Sequence, residues 1–458
     1  MTLHVPALVV GAGISGLVCT HVLRKRGIDA QLLEALPRPG GVIRSERRDG
    51  FLLELGPQSF SGTESMLELS SELTIENQVV QAPPGAPRYV AVGGRLRRVP
   101  FSPRTLFASS LLSGHTKWTI LRDIFGRTVP PTSDESIAAF VRRKFSPELL
   151  DRLVSPFVSG IYAGDPEKLS LRATFPNVYD AERLTGSVIR GMIGAGKTKT
   201  GVQTRKTSSL LSFQQGNETL VKALAAILGN SLRCGVAIET IQQKGGRSDP
   251  FELTLIANER EETIVADNLV LATPTMSGAK LLRGLWGEFE TVLGAVDYAP
   301  VAVISLGYQK ADVGHPLNGF GFLVPRSSNL RVLGTVWNSS LFPNRAPDGY
   351  ALLTSFIGGV TDPQAVKIAC RELAANVHRE IAPLLAIRQL PAFSNVTLYD
   401  RAIPQYDLRH LERLAVLQQL RLRFSNLWLT GNYLHGPAIG ACVEHARAVA
   451  HEVSNSLQ

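Results

Sequence analysis

Cysteine is scarce: four in 458 residues, Cys19, Cys234, Cys370 and Cys442, with no CxxC spacing. A disulfide framework and a thiolate metal site are therefore unsupported, and all four are expected to be reduced core residues. Long apolar runs are missing too. No stretch approaches the roughly 18 residues of a membrane span, and the first apolar strand begins too early for a signal peptide. The protein reads as cytoplasmic, with any membrane contact peripheral, on the inner face. Acidic residues are few beside basic ones, 39 against 48, for a net charge of +9. That balance suits an anionic ligand or surface. Nucleic acid is not expected, because no zinc pattern, RNP-type motif or helix-turn-helix with clustered arginines is present. A Ser/His/Asp set, a metal set and paired carboxylates at motif spacing are likewise absent, which leaves the chemistry to a bound cofactor.

What is present starts at once. Ala7 to Val10 reads as a buried strand, followed by Gly11, Gly13 and Gly16 in GxGxxG spacing, a helix from Ile14 to Arg26, and Gly27 as its left-handed stop. A second strand, Ala30 to Leu33, delivers Glu34. The glycines let pyrophosphate approach the helix N-terminus at Ile14 and Ser15, and Glu34 can accept hydrogen bonds from ribose hydroxyls. Arg38-Pro39-Gly40-Gly41 then resembles the flavoprotein families that bind FAD through two dinucleotide motifs, where such a doublet packs near the phosphates. Ala35, Arg38, Gly40, Gly41 and Val42 are the further cofactor candidates here.

At this length two or three domains are expected. Phe51 to Leu55 alternates as a strand into Gly56-Pro57, a helix covers Ser65 to Glu76, and Pro83 to Pro87 is a linker. Arg88 to Lys144 holds eleven basic residues, Arg88, Arg95, Arg97, Arg98, Arg104, Lys117, Arg122, Arg127, Arg142, Arg143 and Lys144. Phe101, Leu106, Phe107, Leu111, Leu112 and Trp118 are interleaved, so the segment is either a solvated helical face or one that lies on anionic lipid. Thr185 to Thr207 reads as a surface loop. Val236, Ile238 and Ile241 alternate as a strand, Phe251–Ile256 and Glu262–Ala266 read as a hairpin, and Asn268 to Pro274 as a returning strand and turn. Successive β-type runs at 301–308, 321–324, 331–337 and 350–357 suggest an antiparallel sheet. Asp362 with Pro363 suggests a capped helix start.

Several of these stretches together resemble the protoporphyrinogen oxidase family: DGFLLELGPQSF, SGIYAGDPEKLSLRATFP around Gly160, GFGFLVP, SSLFPNRAPDGYALLTSFIGG, the IPQY element at 403–406, and the closing flavin motif LWLTGN…GPAIGACVEHARAVA. The resemblance spans almost the whole chain. Val42 stands where amine oxidases and desaturases usually carry Arg, and Pro437-Ala438-Ile439 departs from the commoner valine-rich closing motif. The implied fold is α/β: a Rossmann-type, amine-oxidase-like FAD domain (1–70, 208–273 and 400–458), an antiparallel-sheet substrate domain (71–87 and 274–399) and an inserted helical domain, the candidate for membrane association (88–207). It implies one non-covalent FAD per chain. It adds Gly56, Pro57, Gln58 and Ser59 beside the flavin ring, the Val236 backbone near the adenine half, and Ala272, Gly431, Pro437, Ala438 and Ile439 around the cofactor.

The implied substrate is a porphyrinogen, oxidised with dioxygen as final acceptor. Arg88 would hold a propionate, with Gly160, Leu323, Val336 and Phe356 around the macrocycle. Protoporphyrinogen IX is the expected substrate. Coproporphyrinogen III, a desaturase or amine oxidase of the same fold, and a flavin-binding porphyrin carrier are the alternatives. A downstream chelatase and a second copy of the chain are open as partners.

Overall fold

The computed structural model describes residues 3–126, 128–197, 209–246, 248–257 and 259–457. The first strand, Leu3–Val10, is solvent-free from Ala7 onward, as a strand covered on both faces must be. It pairs in parallel with Ala30–Glu34 on one side and with Arg260–Leu271 on the other. Leu232–Cys234, Phe251–Ala257, Val236–Gln243 and Leu427–Leu429 complete a seven-stranded sheet. Helices Ile14–Lys25, Glu218–Leu228 and Ile439–Ser456 bury Leu17, Leu224 and Val443 on one face. Thr275–Leu282, Gly287–Gly294 and His410–Arg421 bury Leu282, Phe289 and Leu417 on the other. The hairpin arm and the returning strand prove to be one strand, Arg260–Leu271. It runs antiparallel to Phe251–Ala257 and parallel to the first strand along the same stretch.

A second seven-stranded sheet has the order Phe393–Pro404, Tyr298–Gln309, Tyr350–Gly358, Val332–Val336, Gly321–Leu323, Arg88–Val92, Arg95–Arg98. All neighbours are antiparallel except Gly321–Leu323 with Arg88–Val92. Helix Cys370–Leu385 covers one face, burying Leu373, Val377 and Ile381 against Ile304, Leu306 and Ile357. Three expected boundaries shift. Residues 88–98 form a hairpin of this sheet rather than the start of the helical insert, because Tyr89 and Val90 pair with Phe322 and Leu323. Val79–Gln81 pairs with Leu210–Phe213, which also carries Phe60–Ser61, so Val79 joins the nucleotide core while Val80 packs with Leu341 and Phe342 of the second lobe. Strand Phe393–Pro404 carries the second sheet past residue 400. The helix start at Asp362 and Pro363 is a short 3-10 helix, Pro363–Lys367, and the long helix begins at Cys370. The Asp362 side chain makes no cap bond, because Arg331 holds its carboxylate at 2.8 and 3.0 Å.

A helical insert packs on the second sheet, with helix Ser155–Tyr162 against Val332–Val336 and Gly321–Leu323. The loop expected from Thr185 contains a helix, Val188–Lys197, packed against Pro176–Thr185. A Cβ on Gly191 would lie 2.5 Å from Ala181 Cα, so this glycine serves close helix contact rather than looseness. Asp123 Oδ2 anchors the pair by accepting from Ser187 Oγ at 2.9 Å and Ile189 N at 3.0 Å. Residues 198–207 of that stretch, and Arg127, lie outside the described residues. Among the eleven cations, Arg142 pairs with Glu167, Arg143 with Glu135 and Glu182, and Lys144 with Asp123 and Glu182. Leu111 and Leu112 are core. Phe101, Phe107, Trp118, Phe125 and Val129 are left exposed. Of the cysteines only Cys19 and Cys442 are buried; Cys234 is half-buried and Cys370 exposed, because each sits at the end of its element.

Candidate active site

The dinucleotide turn is built from backbone contacts that only glycine permits. A Cβ on Gly16 would lie 1.9 Å from Gly11 O, and one on Gly11, where φ is +98°, 2.9 Å from Ala272 O. Gly13 is the exception: a Cβ there meets nothing within 4 Å. That open space lies at the N-terminus of Ile14–Lys25, with Gly13 as the cap residue, and the Gly41 Cβ position faces it at 3.6 Å from Gly13 Cα. A pyrophosphate fits such a cradle, since the first-turn N–H groups have no other acceptor within the helix. Glu34 closes the pocket: Oε2 accepts from Ala12 N at 2.7 Å and Oε1 from Leu36 N at 2.9 Å. Ala35 lies between these contacts. Two oxygens offer about four lone-pair sites, so acceptors remain for ribose hydroxyls.

Arg38 reaches back over the glycine doublet, donating to Pro39 O at 3.2 Å and Gly41 O at 2.9 Å. Val236, buried, opens its strand beside Cys234, which pairs with Glu34, and Gly235 N donates to Leu36 O at 2.9 Å. A bulge between Ile238 and Thr240 breaks the alternation expected to continue there. Ala438 caps the closing helix, which packs along the first one, so the Pro437-Ala438-Ile439 turn and Ser15 stand near each other, with Cys442 by Ser15. Burial pushes the Cys442 thiol up to about 11. Gly431, at the end of the last sheet strand, stands with its Cβ position 3.8 Å from Thr273 O, beside Ala272.

Gly56 begins a second tight approach: its Cβ would lie 2.0 Å from Val42 O. Gln58 is buried and Ser59 half-buried in the same turn. Gln58 Nε2 donates to Glu54 O and Gly56 O at 3.0 and 2.8 Å, and its Oε1 accepts from Asn338 Nδ2 at 2.7 Å. That last bond joins the turn to the second sheet two residues past Val336.

The substrate candidates converge there by register. Arg88 pairs with Gly321, Gly321 with Val336, Leu323 with Gly334, and Gly334 with Phe356. Partners across a ladder, and residues two apart along a strand, share a face. Arg88, Leu323, Val336 and Phe356 therefore line one side, opposite the side covered by Cys370–Leu385. Helix Ser155–Tyr162 closes over them through Gly160, whose Cβ would lie 2.5 Å from Leu323 Cδ2. At one edge the Arg88 guanidinium stands 5.7 Å from the Phe101 ring centre and 5.2 Å from that of Phe320. No carboxylate pairs with it among the described residues. At the far edge lies Tyr399, raised by burial, while the charges of Arg38 and Arg44 draw it down.

Sequence reasoning missed the polar groups behind the Gly56 turn: Glu54, Asn217, Asn338 and Arg345. A glutamate in the otherwise apolar Phe51–Leu55 run was the one available signal. No cluster of His, Cys, Asp or Glu suited to a metal occurs among the described residues.

The profile of the family described as flavin-containing amine oxidoreductases matches residues 14–454. The chain is 34% identical over 475 residues to a chloroplastic protoporphyrinogen oxidase of Nicotiana tabacum, covering 98% of this chain and 85% of that one. It is 27% identical to a coproporphyrinogen III oxidase of Staphylococcus aureus, covering 98% and 99%. A crystal structure from Exiguobacterium, provisionally assigned as a protoporphyrinogen oxidase, superposes with a TM-score of 0.81 at 20% identity over 100% and 99% of the two chains.

Proposed function

Since the chain belongs to the flavin-containing amine oxidoreductases and, within them, to the protoporphyrinogen oxidase family, we propose that it oxidises protoporphyrinogen IX to protoporphyrin IX. Six electrons and six protons leave the tetrapyrrole in three cycles, and three dioxygen molecules take them up as hydrogen peroxide. FAD, held without a covalent bond, supplies the two-electron acceptor of each cycle. The chain's residues do the rest. Glu34, the glycine cradle and the two helix N-termini hold the nucleotide; the Gly56 turn carries the ring; Leu323, Val336 and Phe356 exclude water from the macrocycle.

The observation that carries this reading is Arg88: a guanidinium flanked by two rings, without a carboxylate partner among the described residues, at the edge of an apolar face. A propionate completes it through two parallel hydrogen bonds. Coproporphyrinogen III, with four carboxylates, is the second reading, favoured by Arg38 and Arg44 near Tyr399. Both of those are engaged, however, Arg38 with two backbone carbonyls and Arg44 with Glu46 at 3.5 Å. Steady-state comparison of the two porphyrinogens is expected to give a kcat/KM at least about tenfold higher for protoporphyrinogen, a difference of roughly 1.4 kcal/mol. Equal or reversed values would install the second reading.

No helix among the described residues is long and apolar enough to cross a membrane. The exposed Phe101, Phe107, Trp118 and Phe125, with Arg104 and Arg122 between them, suit a peripheral contact on the cytoplasmic face. Sedimentation with anionic vesicles should weaken as salt rises, because each near-surface cation contributes only ~1 kcal/mol. Absence of binding at low salt would exclude this contact. A second copy of the chain and a chelatase that takes up the porphyrin are the protein partners this reading allows.

A further inference from the structure

Behind the Gly56 turn lies an ion pair with side chains 1% exposed on both sides: Arg345 Nη1 is 3.1 Å from Glu54 Oε1. Glu54 Oε1 also accepts from Asn217 N at 2.9 Å, and Oε2 accepts from Ser45 Oγ at 2.6 Å. Arg345 Nη2 donates to Ser212 Oγ and to Phe213 O. Ser212 Oγ in turn donates to Asn217 Oδ1, and Asn217 Nδ2 donates to Pro57 O at 2.8 Å. With Gln58 on Glu54 O and Gly56 O, the carbonyls of Glu54, Gly56 and Pro57 are taken. The pair spans both lobes, since Glu54 ends a strand leading into the turn while Arg345 precedes Tyr350–Gly358 of the second sheet.

Stability alone is a poor reason for this arrangement. Burial raises the Glu54 carboxyl and lowers the Arg345 guanidinium, and replacing a buried ion pair by apolar groups is often neutral or better. What an apolar pair lacks is directional bonding to Asn217 N and Ser212 Oγ, which orient the Asn217 side chain that holds Pro57 O.

We propose that Glu54 and Arg345 are positioning residues that fix the Gly56-Pro57-Gln58 turn, and with it the seat of the flavin ring, at a set height against the Val336 wall. This rests on the flavin reading of that turn; both side chains are buried behind it, 1% exposed.

Three variants test it: Arg345→Met, Glu54→Gln, and the two combined. Arg345→Met alone leaves an unpaired buried carboxylate and should unfold at lower temperature. The double variant removes both charges at similar volume. It should recover a Tm near wild type and keep FAD, yet show a bound-flavin visible spectrum moved toward that of free FAD. Its flavin-reduction rate by porphyrinogen should fall at least tenfold with little change in KM. Glu54→Gln, which keeps the Oε1 contacts, should show the same spectral change at smaller size. A double variant with wild-type spectrum and reduction rate would overturn the proposal, leaving the pair a purely structural one. If the double variant failed to fold, an unaltered spectrum in Glu54→Gln would overturn it equally. The spectrum is read without substrate, so a wrong assignment of the porphyrinogen would not disturb it.

Discussion

Arg88→Ala is expected to lower kcat/KM for the porphyrinogen by about 10- to 150-fold, the loss of a charge-assisted contact worth roughly 1.5–3 kcal/mol. The effect should fall mainly on KM, because the guanidinium binds a carboxylate remote from the carbons that are oxidised. FAD content should stay normal, since Arg88 belongs to the second sheet, paired with Gly321, and touches none of the nucleotide turns. Tm should change little: Arg88 is exposed, and among the described residues its guanidinium, partly desolvated, meets the Phe101 and Phe320 rings and no carboxylate. Arg88→Lys should recover part of the loss, as an ammonium keeps the charge without the planar fork. A porphyrinogen ester without free carboxylates supplies the control. Wild type and Arg88→Ala should process it alike, and an equal loss on ester and acid would make Arg88 structural.

The second large effect separates two glycines of one motif. Gly16→Ala drives a methyl to within 1.9 Å of Gly11 O. Backbone stands on both sides of that clash, so the cost should exceed the ~1–3 kcal/mol usual for overpacking, and the chain should lose stability and cofactor together. Gly13 has φ −66° and open space at its Cβ. Gly13→Ala should therefore leave the Tm of the apoprotein unchanged and weaken FAD at least about tenfold, roughly 1.4 kcal/mol, because the methyl stands where the pyrophosphate comes closest. Thermal melts of apoprotein and flavin absorbance per chain after gel filtration read both quantities. Tight FAD binding by Gly13→Ala would mean that the nucleotide does not use this cradle.

The two regions were legible in the sequence to different degrees for a physical reason. The dinucleotide turn is a local device, in which Gly11, Gly16 and Glu34 act within one strand-helix-strand unit, so spacing alone displays it. The substrate face is not local. Leu323, Val336 and Phe356 come from three strands, and only register brings them to the same side as Arg88. Alternation marks a strand without saying which face will be covered by a helix, so those positions came from family resemblance. Helix Val188–Lys197 looks like a loop in the sequence because its stretch is rich in Gly, Lys, Arg and Thr without periodicity; its order comes from Asp123 and from contact with Ala181, neither visible in local composition. The Glu54–Arg345 network shows in the sequence only as a glutamate in an apolar run, since its partner lies far along the chain and no local pattern links the two.

The most direct test of the account is anaerobic mixing of the FAD-loaded protein with protoporphyrinogen IX. Bleaching of the bound flavin, matched by formation of the oxidised tetrapyrrole and reversed on admitting dioxygen with release of peroxide, is the predicted result. Flavin that stays oxidised with the porphyrinogen yet bleaches with an amine would contradict it.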